Sequence, residues 1–204
     1  MLTTKDLTLL NQIEIHCEKC IRACVYAEAV NGGSINMWAF SQNCFAEAAI
    51  LHWCKVFGSN YEPTHYSKYF KDNCISMPDG SKLTIDLVRS RLYSAANMTE
   101  DEYKIFWKNL KIGRDKYFVH NEFSIQMRGK FPDTDVLKRV AIEMRDVIYD
   151  VVSNMKSEDP ERHRRFQAFL FVNQNNKYLQ DLESDRAQFK SMMKANTGTE
   201  PTGV

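Results

Sequence analysis

An arginine, an acid and a histidine fall within seven residues of the segment 111–123, KIGRDKYFVHNEF. Arg114 carries a permanent cation on a planar fork of donors that suits a phosphate. His120 can gain or lose a proton near neutral pH. Together they are the minimum equipment for cleaving a phosphodiester by acid–base catalysis without a metal. At about 100° per residue, Arg114 and His120 flank Tyr117 on one broad helical face. Arg114 also continues the three-four stepping of Tyr103, Trp107, Leu110 and Tyr117, where an apolar residue is expected. An arginine in such a seam needs an anion or acceptors to offset its desolvation. Asp115 is expected to point elsewhere on the helix, so the partner must come from another helix, a second subunit or a bound phosphate. The intramolecular candidate is Glu47, the single charged member of the series Phe40, Cys44, Glu47, Leu51, Cys54.

The elements that must position these residues read as helices. Residues of about 4–30 place Leu10, Ile13, Cys17, Cys20, Cys24 and Ala27 on one face, and Asn31-Gly32-Gly33 stops the pattern. A second helix over about 34–57 has its stripe at Met37, Phe40, Cys44, Leu51 and Cys54, and Gly58 closes it. Joined by a short turn, the two predict an antiparallel hairpin. The pattern lapses over 58–82, a long loop with room for one short helix. It resumes over 84–96 with Ile85, Val88, Leu92 and Ala95. Thr99 and Glu102 form a capping-box start for the helix that carries the motif and is expected to end near His120-Asn121. Leu137, Val140, Met144, Val147 and Val151 mark another amphipathic helix over about 133–155. No repeats or convincing strands occur. The expectation is one helical domain over 1–194: a core of about 4–155, an extra C-terminal helix of about 159–194, and a flexible tail over 195–204.

Composition agrees with a soluble globular chain. Hydrophobic residues make up 44% and charged residues 26%, while only 8 glycines and 5 prolines interrupt 204 residues, which favours long helices over turn-rich sheet. The formal net charge of +1 predicts no global attraction to nucleic acid, so any such binding must come from a local patch or from dimerisation. No basic region precedes an apolar run at the N-terminus, and no stretch reaches the length needed to span a bilayer. The expected location is cytoplasmic, without membrane association, and the six cysteines then read as reduced thiols.

Other residues invite chemistry and have simpler explanations. Cys17, Cys20 and Cys24 beside His16 suggest a metal, yet thiols at this spacing on one helical face are small core residues, and no second pair has zinc-site spacing. His52, His65 and His163 lack convergent partners in sequence and read as surface or capping residues. The cluster Arg162-His163-Arg164-Arg165 reads as a solvated face, and the aromatic residues Tyr61, Tyr66, Tyr69 and Phe70 as anchors of the loop to the bundle.

Arg114-Asp115-Lys116 followed by His120-Asn121 at the end of a helix, in an all-α chain of this size, resembles the HEPN superfamily, whose hallmark is Arg, four to six residues, then His. The form found here looks most like members associated with abortive infection and toxin systems. The resemblance spans about 4–155 and implies an up-and-down helical bundle acting as a homodimer. It also implies a metal-independent RNA endonuclease with no cofactor, leaving a 2′,3′-cyclic phosphate and a 5′-hydroxyl. In that reading His120 is the acid–base group, Arg114 holds the scissile phosphate and Asp115 orients one of them. Lys116, Asn121 and Glu47 complete the substrate side. RNA is the implied partner, with an antitoxin or defence-system protein as a second. One subgroup carries a tyrosine two residues after the histidine; Glu122 stands there in this chain, against that subgroup's modification-controlled type. The competing expectation is a catalytically silent helical dimer serving as a scaffold.

Overall fold

The computed structural model describes residues 3–30, 36–71, 73, 75–77, 81–115, 133–158 and, near the C-terminus, 181, 183–185, 187, 188 and 190–192. Most of these residues are helical. α1 (Thr4–Ala29) starts at a capping box in which the Thr3 hydroxyl accepts the Asp6 N–H and the Asp6 carboxylate accepts the Thr3 N–H. This satisfies donors that the first turn cannot. α2 (Asn36–Phe57) follows, and then the short α3 (Ser67–Phe70). α4 (Ile85–Ala96) is capped by the Thr84 hydroxyl and closed by Asn97 in the left-handed region at φ 55°. α5 (Glu100–Gly113) opens on the Thr99–Glu102 capping box expected from sequence, and α6 (Thr134–Glu158) completes the frame.

Pairs of contacts fix the directions. His16 meets His52 and Tyr26 meets Phe45, so α1 and α2 run antiparallel. Glu14 meets Arg145 and Glu28 meets Lys138, so α6 runs antiparallel to α1. Arg91 bonds Glu143 and Asp150 while Arg139 donates to the Ala95 and Ala96 carbonyls, so α4 is antiparallel to α6 as well. The core fills the space between these helices with Leu10, Ile13, Ile21 and Cys24 of α1, Ile50 and Trp53 of α2, Leu92 of α4, and Leu137, Met144 and Ile148 of α6. The expected stripe of α6 is buried throughout.

Two expectations change. The loop between α2 and α4 contains α3 and also a minimal antiparallel ribbon, β1 (Ile75–Ser76) against β2 (Lys82–Leu83), with Ile75 opposite Leu83. Two-residue strands carry no alternation to detect. On α2 the predicted stripe is buried at Cys54 but faces outward at Phe40, 69% exposed, at Leu51, 39% exposed, and at Cys44, while the side chain of Met37 lies outside the described residues. The buried face is Ala46, Ala49, Ile50, Trp53, Val56 and Phe57, with Cys54 at its edge. α2 is apolar around most of its circumference, so two stripes compete, and the one with the large indole wins because it removes more surface from water. The expected C-terminal helix is helical at its described residues between 181 and 192; the cluster 162–165 and the tail 195–204 lie outside the described residues.

The core also contains an ion pair. Glu14 and Arg145, 1% and 3% exposed, meet at 2.7 Å through Nη2 and 2.9 Å through Nε. Burial pushes the Glu14 carboxyl up and Arg145 pulls it back. Removing one partner of such a pair strands the other charge, at about 3–5 kcal/mol, whereas an apolar pair of similar volume is tolerated. Arg145→Met should therefore lower the urea-derived unfolding free energy by about 3 kcal/mol or more, and Glu14→Leu with Arg145→Met should recover at least half of it. Equal losses in the single and double variants would refute this view of the pair.

Candidate functional site

The motif arginine is positioned by the way α5 crosses the C-terminal end of α2. The last carbonyls of any α-helix lack intrahelical donors. Here the Gly58 N–H takes the Cys54 carbonyl at 3.0 Å, the Thr64 hydroxyl takes Lys55 at 2.8 Å and the Tyr66 N–H takes Val56 at 3.1 Å. The Trp107 indole N–H from α5 takes Phe57 at 2.5 Å and Gly58 at 3.1 Å. Gly58 is required at this crossing, since a Cβ there would lie 2.4 Å from the Cys54 carbonyl oxygen. Trp53 packs against Tyr103 and edge-on to Phe106, which fixes the rest of α5. Lys111 lies 4.5 Å over the Trp107 ring, a cation–π contact one turn before the motif.

α5 then widens to π-type geometry at Arg114 and Asp115, a local irregularity often found at functional sites. Arg114 is 17% exposed, and its Nε and Nη2 both lie 2.7 Å from Asp115 Oδ1. Asp115 therefore turns back on its neighbour, contrary to the expectation that it points away. The guanidinium also lies against the buried Cys54 thiol and within electrostatic reach of Glu62. Partial burial disfavours the Arg114 cation, but Asp115, Cys54 and Glu62 outweigh it and hold it protonated above its ordinary value. Burial pushes the Cys54 thiol up to about 11 while Arg114 pulls it down, so this sulfur is neutral and a poor nucleophile near neutral pH.

Glu47 sits between exposed Cys44 and Leu51 on the outward side of α2, and among the described residues no ion pair joins it to Arg114. Lys116, His120 and Asn121 lie outside the described residues. The structure thus brings Asp115 to Arg114 and supplies Cys54 and Glu62 as neighbours that sequence reasoning did not find.

A second constellation was also missed. His16 and His52 face each other across α1 and α2 with their Nδ1 atoms 3.0 Å apart. Their partnership spans 36 positions. The sequence signal was their matching depth in the predicted hairpin. Cys17, Cys20, Cys24 and Cys54 are buried, and among the described residues no group of three or more His, Cys, Asp or Glu side chains is arranged to hold a metal ion. His65 is buried and caps the start of α3, where its Nδ1 accepts the Ser67 N–H at 3.2 Å and lies 2.7 Å from the Ser67 hydroxyl.

No family model matches the sequence, and no curated protein and no solved structure matches it. Among the described residues, no helix is long and apolar enough to cross a membrane.

Burial pushes both His52 and His65 down to about 4, from an ordinary 6.5, with neighbouring cations adding to the effect. An imidazole depressed in the folded state favours folding fully above its unfolded value and loses that contribution as pH falls towards the folded value. Stability should therefore drop between pH 6.5 and 4, by about 1 kcal/mol per histidine at pH 5 once partial solvent screening is allowed for. Chemical denaturation at pH 7 and pH 5 measures the drop, and His65→Asn should remove part of it. Identical unfolding free energies at the two pH values would contradict the assignment.

Proposed function

We propose that this chain is a metal-independent RNA endonuclease of the HEPN type, acting as a homodimer in a toxin or phage-defence setting. The observation that carries the proposal is the state of Arg114. It is a cation held in one orientation by Asp115, backed by α2, and still 17% open at the end of α5, six residues before the motif histidine in the sequence. A transition-state clamp needs such preorganisation, because donors fixed before the reaction do not have to reorganise during it. The mostly helical frame and the Arg114-Asp115-Lys116, His120-Asn121 sequence support the same reading.

In the proposed reaction, His120 removes the proton from a ribose 2′-hydroxyl, whose oxygen attacks the adjacent phosphorus. The bond to the 5′-oxygen breaks, and that oxygen takes up a proton from a protonated His120 imidazole or from water. A 2′,3′-cyclic phosphate and a 5′-hydroxyl result. Arg114 neutralises the charge that builds on the phosphoryl oxygens, Asp115 keeps its fork aimed, and Lys116 and Asn121 contact the substrate. Two copies of the motif facing each other in the dimer concentrate positive charge that the chain as a whole lacks. DNA has no 2′-hydroxyl and is not a substrate. An antitoxin or another defence protein is the proposed protein partner.

One observation favours a second reading, in which the chain is a catalytically silent helical scaffold. The outward stripe of α2, with Phe40 at 69% and Leu51 at 39% exposure, is the kind of surface that partners cover.

Incubation of labelled single-stranded RNA with the protein in EDTA separates the two. Wild type should produce cyclic-phosphate ends, and folded His120→Ala and Arg114→Ala variants should each lose about 10²-fold or more in rate. Asp115→Asn should show a smaller loss, because it releases the clamp without removing it. Failure of confirmed dimer to cut any of several RNAs faster than the two alanine variants would leave the scaffold reading in place.

A further inference from the structure

The histidine pair at the centre of the first hairpin belongs to a repeated pattern. α1 carries His16-Cys17-Glu18-Lys19 and α2 carries His52-Trp53-Cys54-Lys55, a histidine three residues before a lysine each time. Residues three apart on a helix share a face, offset by about 4.5 Å along the axis. Because α1 and α2 are antiparallel and the two histidines are opposite, the lysines are displaced in opposite directions. One lies above the imidazole pair and one below it. Both lysines are exposed at the surface, while both imidazoles are partly covered.

The contact between the rings fixes their protons. Nδ1 of His16 and Nδ1 of His52 are 3.0 Å apart, with ring centroids 5.2 Å apart and planes tilted by 32°. A hydrogen bond between two imidazole nitrogens requires one N–H and one lone pair. The ring that donates from Nδ1 therefore has a bare Nε2, and the ring that accepts carries its proton on Nε2. The couple has one spare donor and one spare base.

The charge around the couple has one dominant sign. Lys19 and Lys55 both act on both rings. Glu62 is the opposing charge at His16, and its carboxylate is taken by Lys55 Nζ at 3.0 Å. Glu18 is paired with Arg22 at 2.6 Å. A metal cation placed between the rings would meet the ammonium of Lys19 beside the mutually paired Lys55 and Glu62, a net positive surrounding, whereas an anion would meet that net positive charge and an imidazole N–H. The sign of the local field selects the anion.

We propose that His16, His52, Lys19 and Lys55 form a binding site for a phosphoryl oxyanion, with one imidazole Nε2–H and the two ammonium groups as donors. This site shares no residue with the Arg114 motif and does not rest on the ribonuclease reading. Burial lowers both rings from their ordinary value with the two lysines adding to the effect, and at His52, where the His16 ring adds as well, it does so to about 4. A bound anion offsets the lysine charge and lets the bare Nε2 take a proton from solvent. Binding is thus linked to proton uptake and strengthens as pH falls.

The experiment follows the two imidazoles by nitrogen–proton correlation in the full-length protein, with signals assigned through His16→Asn and His52→Asn. Inorganic phosphate is titrated against potassium chloride at matched ionic strength. A second arm uses a short single-stranded oligoribonucleotide at equal phosphate. Phosphate or the oligonucleotide should perturb both rings saturably, several-fold more tightly at pH 6 than at pH 8. Lys19→Gln with Lys55→Gln should weaken binding by about tenfold while leaving the melting transition in place. Response to phosphate alone assigns the site to a small phosphate, and stronger response to the oligonucleotide assigns it to a polynucleotide backbone. Ring signals that follow chloride and phosphate alike, or an affinity indifferent to the two lysine substitutions, would overturn the proposal.

Discussion

The pairing of Glu14 with Arg145 is the constraint to which the rest of the frame conforms. Two charges almost wholly removed from water tolerate few alternatives, because any shift of α6 along α1 by one residue would leave each facing hydrocarbon. The apolar contacts around them are less particular, since Leu, Ile, Val and Met repack with small losses. Hydrophobic burial therefore supplies most of the stability and the ion pair the register. Once α6 is set against α1, its other charged contacts fall into place. Lys138 reaches Glu28, Glu143 and Asp150 hold Arg91, and Arg139 closes the end of α4. The three last contacts bring α4 in, and α4 leads through Asn97 directly into α5 and the motif.

The end of α2 is the second fixed point, and it works by hydrogen-bond completion. Its last carbonyls are taken in turn by a glycine N–H, a threonine hydroxyl, a loop N–H and the indole of Trp107. The loop after α2 and the body of α5 are thereby tied to one helix terminus, and Arg114 comes to lie against Cys54. The orientation of the motif arginine depends on carbonyl groups that no sequence motif records.

Sequence patterns were informative where burial is one-sided. α4, α5, α6 and the first half of α1 have a polar back, so their buried faces could be read from spacing, and the Thr99 capping box marked where α5 begins; the second half of α1 is buried nearly all round, at Ile21, Ala23, Val25 and Ala29 besides the predicted stripe. α2 was misread because it has two apolar stripes, and spacing cannot say which one a neighbour will cover. The same rule that singled out Glu47 applies to Glu14, which follows Leu10 by four and precedes Cys17 by three, and to Arg145, between Ala141 and Ile148. Applied to every helix, it would have found the buried pair. The Asp115 contact escaped because it depends on a local widening of the helix, and the His16–His52 couple because its members are joined only by tertiary packing.

The antiparallel order of the helices also affects how fast a charged molecule could find this protein. α1 and α4 point one way and α2 and α6 the other, so the dipoles of the four largely cancel along the bundle. With a formal net charge of +1, little monopole remains to replace them. A polyanion approaching one chain is therefore not drawn in from beyond the Debye length, and association starts from the unsteered range of about 10⁵–10⁶ M⁻¹s⁻¹ with weak dependence on salt. Selectivity in such a molecule is exercised after contact, through dissociation, by groups that act only within a few ångströms.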